Sequence, residues 1–555
     1  MRLRALQSRH IILVAQAALV AACARSSAPV AGPVPTSASV EQLVMGGAAP
    51  PVLVTSFDGL GNGFTGPQGR AVVRNPSDNT LAVGRDHIVQ IVNTRMAIFS
   101  RAGSMFDSTG RVLYGPVAAN TVFRGAGGAC EARVSGDAVA RYDQLADRWL
   151  LVLPIFQRSV WHADDPRAPR HGEPAVASRP LRAGQPGPAV LLYVPAPVMD
   201  TIAVRAPASR DSGAYAMCYA VSATSDPMGA WYRYEFVRPL FPDYPRPAIW
   251  PDGYYVPTST GDEVIEKHAC VVDRARMLRG EAASEQCVVI AEVNFLNNVD
   301  LDGTQLPPAG APNIMLAAGG TQLRGRVRDS VLLAWTFHVD WTDIAKTHVA
   351  GPTTIAVAPY AYLCGGQLTS CVPQPGTDRR LDAQGDKLMA RVVYRRIGRR
   401  ESIVALHSVN LSRAGGGVRW YELQVGRDRA LQVAQQGTYA PDTSYRWMGS
   451  PAMDRFGNIG IGYSFGGSPA YAGQRFAART PRDPHGQLTA REQVLVHGAA
   501  SQTSTLRWQD YTQTAMDPRD DCTVWYAGDY LKAGATAYST RIGAFRMPGC
   551  TGVER

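Results

Sequence analysis

The stretch "DAVARYDQLADRWLLVLP" (residues 137–154) decides the fold. Two runs of apolar, aromatic and β-branched residues flank the polar turn "DQLADR", which reads as two short strands joined in a hairpin. A lone hairpin cannot bury both faces, so the question is whether the pattern recurs. It does, in degenerate form: "NTLAVGRDHIVQIVN" from Asn79, "DYPRPAIWPDGYYVP" from Asp243, "WMGSPAMDRFGNIGIGYS" from Trp447 and "DYTQTAMDPRDDCTVWYA" from Asp510. "DKLMARVVYRRIGRRESIVALH" from Asp386 fits with a longer basic turn, and "NIMLAAGG…VLLAWTFHVDW" from Asn313 with a longer one still. Several units carry a second pair of strands, as in "YAVSATSDPMGAWYRYEF" (219–236). Two hairpins make a four-stranded antiparallel sheet. The repeat therefore predicts an all-β chain folded as a seven-bladed β-propeller over residues 53–555, with a pair of β-sandwiches as the rival.

The composition agrees with a globular body: 45% hydrophobic and 18% charged residues, with 54 Gly and 39 Pro to punctuate short strands. The N-terminus differs. Arg2, Arg4 and Arg9 precede an apolar run from Ile11 to Val20, then small residues and Cys23, so residues 1–22 read as a signal peptide. Its end, "LVAAC", resembles the bacterial lipobox. That resemblance implies a lipoprotein acylated at Cys23 and, with Ala24 next, placed in the outer membrane of a Gram-negative bacterium; an ordinary cut near Ala22 or Ala24 is the alternative. Residues 23–52, "CARSSAPVAGPVPTSASV" and onward, are too poor in large side chains to pack and read as a flexible tether.

Nine cysteines less Cys23 leave an even set in an exported chain, which predicts disulfides. Separation in sequence suggests Cys270–Cys287, Cys364–Cys371 and Cys522–Cys550, leaving Cys130–Cys218. No C-x-x-C suggests a zinc ribbon or redox site, and the ten histidines are dispersed without H-E-x-x-H, so no metal or other cofactor is expected. The formal net charge is +10, but the basic pairs Arg379-Arg380, Arg395-Arg396 and Arg399-Arg400 are scattered, which argues against a nucleic-acid partner. A Pro-, Arg- and His-rich insertion over residues 157–189 reads as a surface loop or a lid over a ligand.

Taken in order, "NPSDNTLAVGRDHIVQIVNTRMAIFSRAG", "GDAVARYDQLADRWLL", "DYPRPAIWPDGYY", "RWMGSPAMDRFGNIGIGYS" and the terminal "RIGAFRMPGC" resemble a widespread family of secreted bacterial proteins, mostly uncharacterised and expected to be β-propellers. The resemblance implies a fold and a secreted life and no particular activity. "NPSDN" stands where the family more often has Pro-Pro-Asp-Thr-Asn, and "GRDH" where it has Gly-Pro-Asn-His.

In a propeller the residues opening the inner strands converge near the axis. Asp137, Asp243, Asp386, Asp510 and the Arg446-Trp447 pair, with Asn79 and Asn313, are expected to ring one mouth of the channel and bind an extracellular ligand, a glycan or a partner protein. Crowded carboxylates raise one another's pKa, so a glycoside hydrolase or lyase is the alternative; a third reading is a structural envelope protein in which these aspartates lock the ring by bonding backbone N–H groups. The turn aspartates Asp143, Asp252, Asp454 and Asp517 are expected to cap hairpins. Three motif matches lack their structural context: "GYSFG" (462–466) has no following helix, "GNGFTG" (61–66) no flanking strand and helix, and "NVDLDG" (298–303) has Ala309 where a calcium loop needs Glu.

Overall fold

A computed structural model of the protein describes residues 36, 38–160, 191–193, 213–238, 240–259, 266–291, 293, 295–319, 330–366, 370–389 and 391–551. The signal peptide, Cys23 and most of the insertion (161–190) lie outside the described residues. Among the described residues the body is all-β, and most of its strands fall into sets of four antiparallel neighbours, with further short strands at sheet edges and two separate two-stranded sheets, Thr65–Gly66 with Gly69–Arg70 and Ser370–Gln374 with Thr377–Asp382.

Sheet I holds Thr80–Val83, His87–Val92, Arg95–Ser100 and Val112–Ala118. Sheet II holds Val139–Asp143, Arg148–Val160, Gly213–Ser222 and Trp231–Arg238, and sheet III holds Ala248–Trp250, Gly253–Tyr255, Glu266–Val272 and Glu285–Ala291. Sheet IV follows with Asn297–Leu301, Asn313–Ala318, Val331–His338 and His348–Ala356, and sheet V with Val392–Ile397, Arg400–Asn410, Gly416–Val425 and Leu431–Tyr439. Sheet VI comprises Tyr445–Met453, Ile459–Gly466, Gly473–Arg479 and Gln493–Val496. Sheet VII comprises Gln513–Met516, Thr523–Tyr530 and Ser539–Arg546, and its fourth strand is Val52–Asp58 from the other end of the body. Hydrogen bonding joins IV to V, where Val299 pairs with Val392 in parallel, and leaves sheets I, II, III, VI and VII separate from one another. The first strand of each sheet packs against the first strand of the next, and that of VII against that of I.

Local chemistry explains the hairpins. In sheet VI the Asp454 Oδ1 accepts from Phe456 N and Asn458 N, both at 2.9 Å, and Gly457 takes the left-handed conformation (φ 82°) that closes the turn. Asp143 caps its turn in the same way through Leu145 N (3.0 Å) and Ala146 N (3.2 Å). Large apolar residues fill the space between sheets. Trp149 of sheet II is fully buried, packs edge-on to Tyr142 with ring centroids 4.8 Å apart, and faces Gly84 of sheet I, where a side chain would collide with its ring. The four disulfides pair as the spacing suggested: Cys130–Cys218, Cys270–Cys287, Cys364–Cys371 and Cys522–Cys550.

Two expectations need correction. The stretch taken as tether is laid down on the body before residue 53: Glu41–Gln42 pairs in parallel with Thr438 and Tyr439, the Gln42 side chain bonds both N–H and C=O of Leu488, and Ala48 bridges to Ala490. Backbone pairing holds it, which composition does not reveal. The fourth unit is also out of phase. Asn313 opens the second strand of sheet IV, and the first strand is Asn297–Leu301, within the segment that resembles a calcium loop. Its Asp300 is engaged by Ile249 N (2.8 Å) and by Arg391 Nε (2.6 Å). The other motif matches also resolve into ordinary structure: Ser464 sits inside the strand Ile459–Gly466 and accepts from Trp508 Nε1 at 3.0 Å.

Candidate functional site

The chain enters the inner strands through an unusual backbone state. Asp78, Asp137, Tyr244, Gln384, Met448, Gln509 and Asp510 all have φ between 43° and 66°, the left-handed region that costs most L-residues about 1–2 kcal/mol. Aspartate tolerates it better because its short side chain bonds nearby backbone. This gives the recurring aspartates a conformational reason to stand where they do, and it brings their carboxyls together.

Asp137 is the centre of the resulting cluster. Its carboxyl is within hydrogen-bonding reach of Asp78 on one side and Asp243 on the other. Its Oδ2 also accepts from Tyr244 N at 3.3 Å, so the bond to the backbone ahead of the next sheet is made as well. Burial, then the Asp243 charge, push Asp137 up to about 7 against the partial relief of Arg246. Asp78 is raised by burial and by Asp137 and Asp510, although its Oδ2 accepts from Asn93 Nδ2 at 2.6 Å. Across the cluster, Asp382 is pushed up to about 8 by burial and by Asp510, with Arg507 opposing. Arg507 reaches Asp510 through Nε (3.1 Å) and Nη2 and stands 3.7 Å from Asp382. Solvent reaches the cluster at the partly buried Asp137 and Asp243 and along Arg507, whose side chain is 34% exposed.

A cation–aromatic stack lies beside these carboxyls. Arg246 is clamped between rings, its Cζ 3.1 Å from the centroid of Tyr244 and 3.9 Å from that of Tyr511, and the two rings meet edge-on at 5.5 Å. Tyr244 also packs on Phe295 (5.2 Å), over which the Lys387 ammonium sits at 3.9 Å. The segments leading into sheets I, II, III, IV, V and VII thus supply acids, three cations (Arg246, Lys387 and Arg507) and three rings to one place.

Further along the same strands charged side chains pack on one another. Arg141, Asp300, Arg391 and Asp302 form a buried network in which Asp300 lies between the two guanidiniums (3.4 and 2.6 Å). Gln513 bonds Leu81 O and Ala140 O, linking sheets VII, I and II. The cavity left among Arg141, Asp300 and Arg391 measures about 20 Å³, room for a single water.

Of the residues singled out in the sequence, Asp137, Asp243 and Asp510 converge. Asp386 is fully buried, 3.3 Å from the Lys387 ammonium that borders the cluster. Arg446 and Trp447 do not reach the carboxyls. Met448 occupies the left-handed entry position in sheet VI, and Arg446 is drawn into a separate buried group, bonding Glu492 (2.8 Å) and Asp442 (2.9 Å). Trp447 packs against Trp508 at 6.3 Å. Asn79 accepts from Gln90 Nε2 (3.0 Å), and Asn313 bonds within its own sheet. Sequence reasoning missed Asp78, Asp382, Arg507, Tyr244, Arg246 and Tyr511; the signal available for two of these was that Tyr244 and Tyr511 each follow an already suspected aspartate. Among the described residues, the two groups of potential metal ligands that lie close together, Cys270/Glu285/Cys287 and Asp520/Cys522/Cys550, are built on disulfides and offer no thiolate.

No protein-family model matches the chain, and no curated protein matches it. Among solved structures it is similar to a protein of unknown function from Dyadobacter fermentans DSM 18053 (11% identity, TM-score 0.31, covering 89% of this chain and 99% of that one). It is also similar to a polysaccharide lyase, the PL25 ulvan lyase bound to a sulfated glycan (10%, 0.32, 92% and 95%), and to the WD40 domain of SCAP from fission yeast (8%, 0.24, 60% and 82%). At these TM-scores the likenesses carry no argument.

Proposed function

We propose that the chain is a secreted, lipid-anchored β-propeller that binds an extracellular ligand, carbohydrate before protein, at the aspartate mouth of its axis. The single observation that carries this is the convergence of partly exposed Asp137 and Asp243 with Asp510 around the Tyr244–Arg246–Tyr511 stack. Carboxyls, fixed cations and ring faces are what hydroxylated sugar rings need for hydrogen bonds and stacking. In this reading the seven sheets close into a ring of seven blades. The contacts between successive first strands, including VII on I, support closure, and Val52–Asp58 fastens the last sheet with a strand from the start of the body. Export and acylation at Cys23, with membership of the secreted family that the sequence resembles, complete the picture; the four disulfides suit an oxidising compartment.

One observation favours the enzyme reading. An Asp137 raised to about 7 suits proton transfer at neutral pH. Yet it touches Asp243, whereas two-carboxylate glycoside hydrolysis wants a separation of roughly 5–10 Å, so binding is preferred. A glycan array probed with the mature chain tests both. Binding to a glycan should fall at least about tenfold in Asp137→Ala and Asp510→Ala variants that melt as the parent does. Unchanged binding in such variants removes the mouth from the site, and shortening of the bound glycan converts the proposal to the enzyme.

A further inference from the structure

A second cavity lies on the surface of sheet VI. It measures about 250 Å³ and is open to solvent, lined by the end of Ile459–Gly466, the following loop, the start of Gly473–Arg479 and residues 496–498. We propose that it binds one pyranose ring of a glycan. This rests on its own residues and does not require the axial cluster to be a site.

The lining divides into two chemistries. Tyr471, 39% exposed, and Val496 give the cavity its accessible apolar surface, with the buried Phe465 behind them. Arg475 and the exposed His497 provide polar edges. A pyranose has the matching division, a C–H face that stacks on an aromatic ring and a girdle of hydroxyls that seek donors and acceptors. The Phe465 face is already taken by the Arg475 guanidinium, so Tyr471 is the ring left to stack, and a small anion would leave it uncovered.

The donors are held in advance. The Arg475 guanidinium lies 3.3 Å from the Phe465 ring centroid and bonds Glu492 through Nη1. Glu492 is itself fixed by Arg446 Nε (2.8 Å) and the Tyr463 hydroxyl (2.6 Å). Two arginines and two acids, Arg446, Arg475, Glu492 and Asp442, balance in charge, which suits a neutral sugar better than an ion. The floor is rigid as well: Gln474 accepts from Tyr526 OH (2.6 Å) and donates to Ser464, Asp529 O and Gln509. Buried Arg446, which the sequence nominated for the axial mouth, thus supports this pocket instead. Such preorganisation reduces the entropy lost on binding.

The test is saturation-transfer NMR and calorimetry on the mature chain with free glucose, galactose, mannose and rhamnose. At least one should bind at a single site, weaken about tenfold or more in Tyr471→Ala, and persist in Tyr471→Phe, which keeps the ring. Phe456→Ala, which removes a comparably exposed ring (45%) from the turn at the other end of sheet VI, should leave this binding unchanged. Tyr471 is exposed enough that its removal spares the fold, and the melting curve checks this. The proposal is overturned if none of the four sugars binds, or if binding survives Tyr471→Ala.

Discussion

Asp137 and Asp143 bracket the same inner strand of sheet II, six residues apart in sequence, and their surroundings are opposites. Asp143 is saturated: Oδ1 accepts two turn amides, and Oδ2 accepts Tyr254 OH (2.8 Å) and Arg274 Nε (2.6 Å) from sheet III and the helix beside it. Asp137 faces other acids, and burial first, then the Asp243 charge, raise its pKa to about 7. The turn end repeats its solution elsewhere. Arg101 of sheet I pairs with Asp517 of sheet VII, and Arg395 of sheet V with Asp521. Where acid and base come in matched numbers the strand end is a staple between sheets. The other end, with acids in excess and solvent at the door, retains capacity for a ligand at some cost in stability.

The comparison breaks most visibly at the buried ion pairs. Arg391→Leu leaves Asp302 buried without its guanidinium and Asp300 with Arg141 alone at 3.4 Å, and should lower unfolding free energy by about 3–5 kcal/mol, read from urea denaturation. A loss under about 1 kcal/mol would mean that water reaches this network. Asp143→Ala should cost about 2–4 kcal/mol, since it orphans the largely buried Arg274 and two turn amides.

Asp137→Asn should behave in the reverse sense. With its folded pKa near 7 and an unfolded value of about 3.9, Asp137 in the native protein holds a proton that the unfolded chain has released between those limits. Parent stability therefore falls relative to the variant as pH rises from about 4 to about 7, by up to about 1.4 kcal/mol per pH unit. Melting curves of both proteins across that range check the sign, and a gap that does not widen would show the carboxyl ionised throughout. The smallest effect separates Asn from Ala at this position. Asp137→Ala should be about 1 kcal/mol less stable than Asp137→Asn at pH 4, because φ is 51° and alanine has no side-chain bond to offset it.

Much of the fold was legible because hairpins are local. Alternating apolar residues around an aspartate turn marked the first two strands of sheets I, II, III, VI and VII, and the cysteine spacing marked the disulfides. Sheet IV is hidden in the sequence because its first strand, "NNVDL", is polar: Asn297 bonds Leu388 O, Asn298 bonds Asn313 of the next strand and Asp300 pairs with Arg391, so hydrophobic periodicity passes over it. The attachment of Glu41 and Gln42 was invisible for a related reason, since main-chain pairing with a strand near residue 438 leaves no mark on composition.

The candidate site divides likewise. Sequence could nominate Asp137, Asp243 and Asp510, because each opens a recurring unit. It also nominated Arg446, which stands two residues before the entry position held by Met448 and pairs with Glu492 instead. The sequence by itself determined an all-β chain of repeated hairpins, because strand alternation and turn capping are set by residues within a dozen positions of one another. Only the tertiary structure decided which aspartates meet an arginine and which meet another aspartate. Tyr511 lies some 265 residues from Arg246, and the charge balance at each strand end depends on what the neighbouring sheet brings to it.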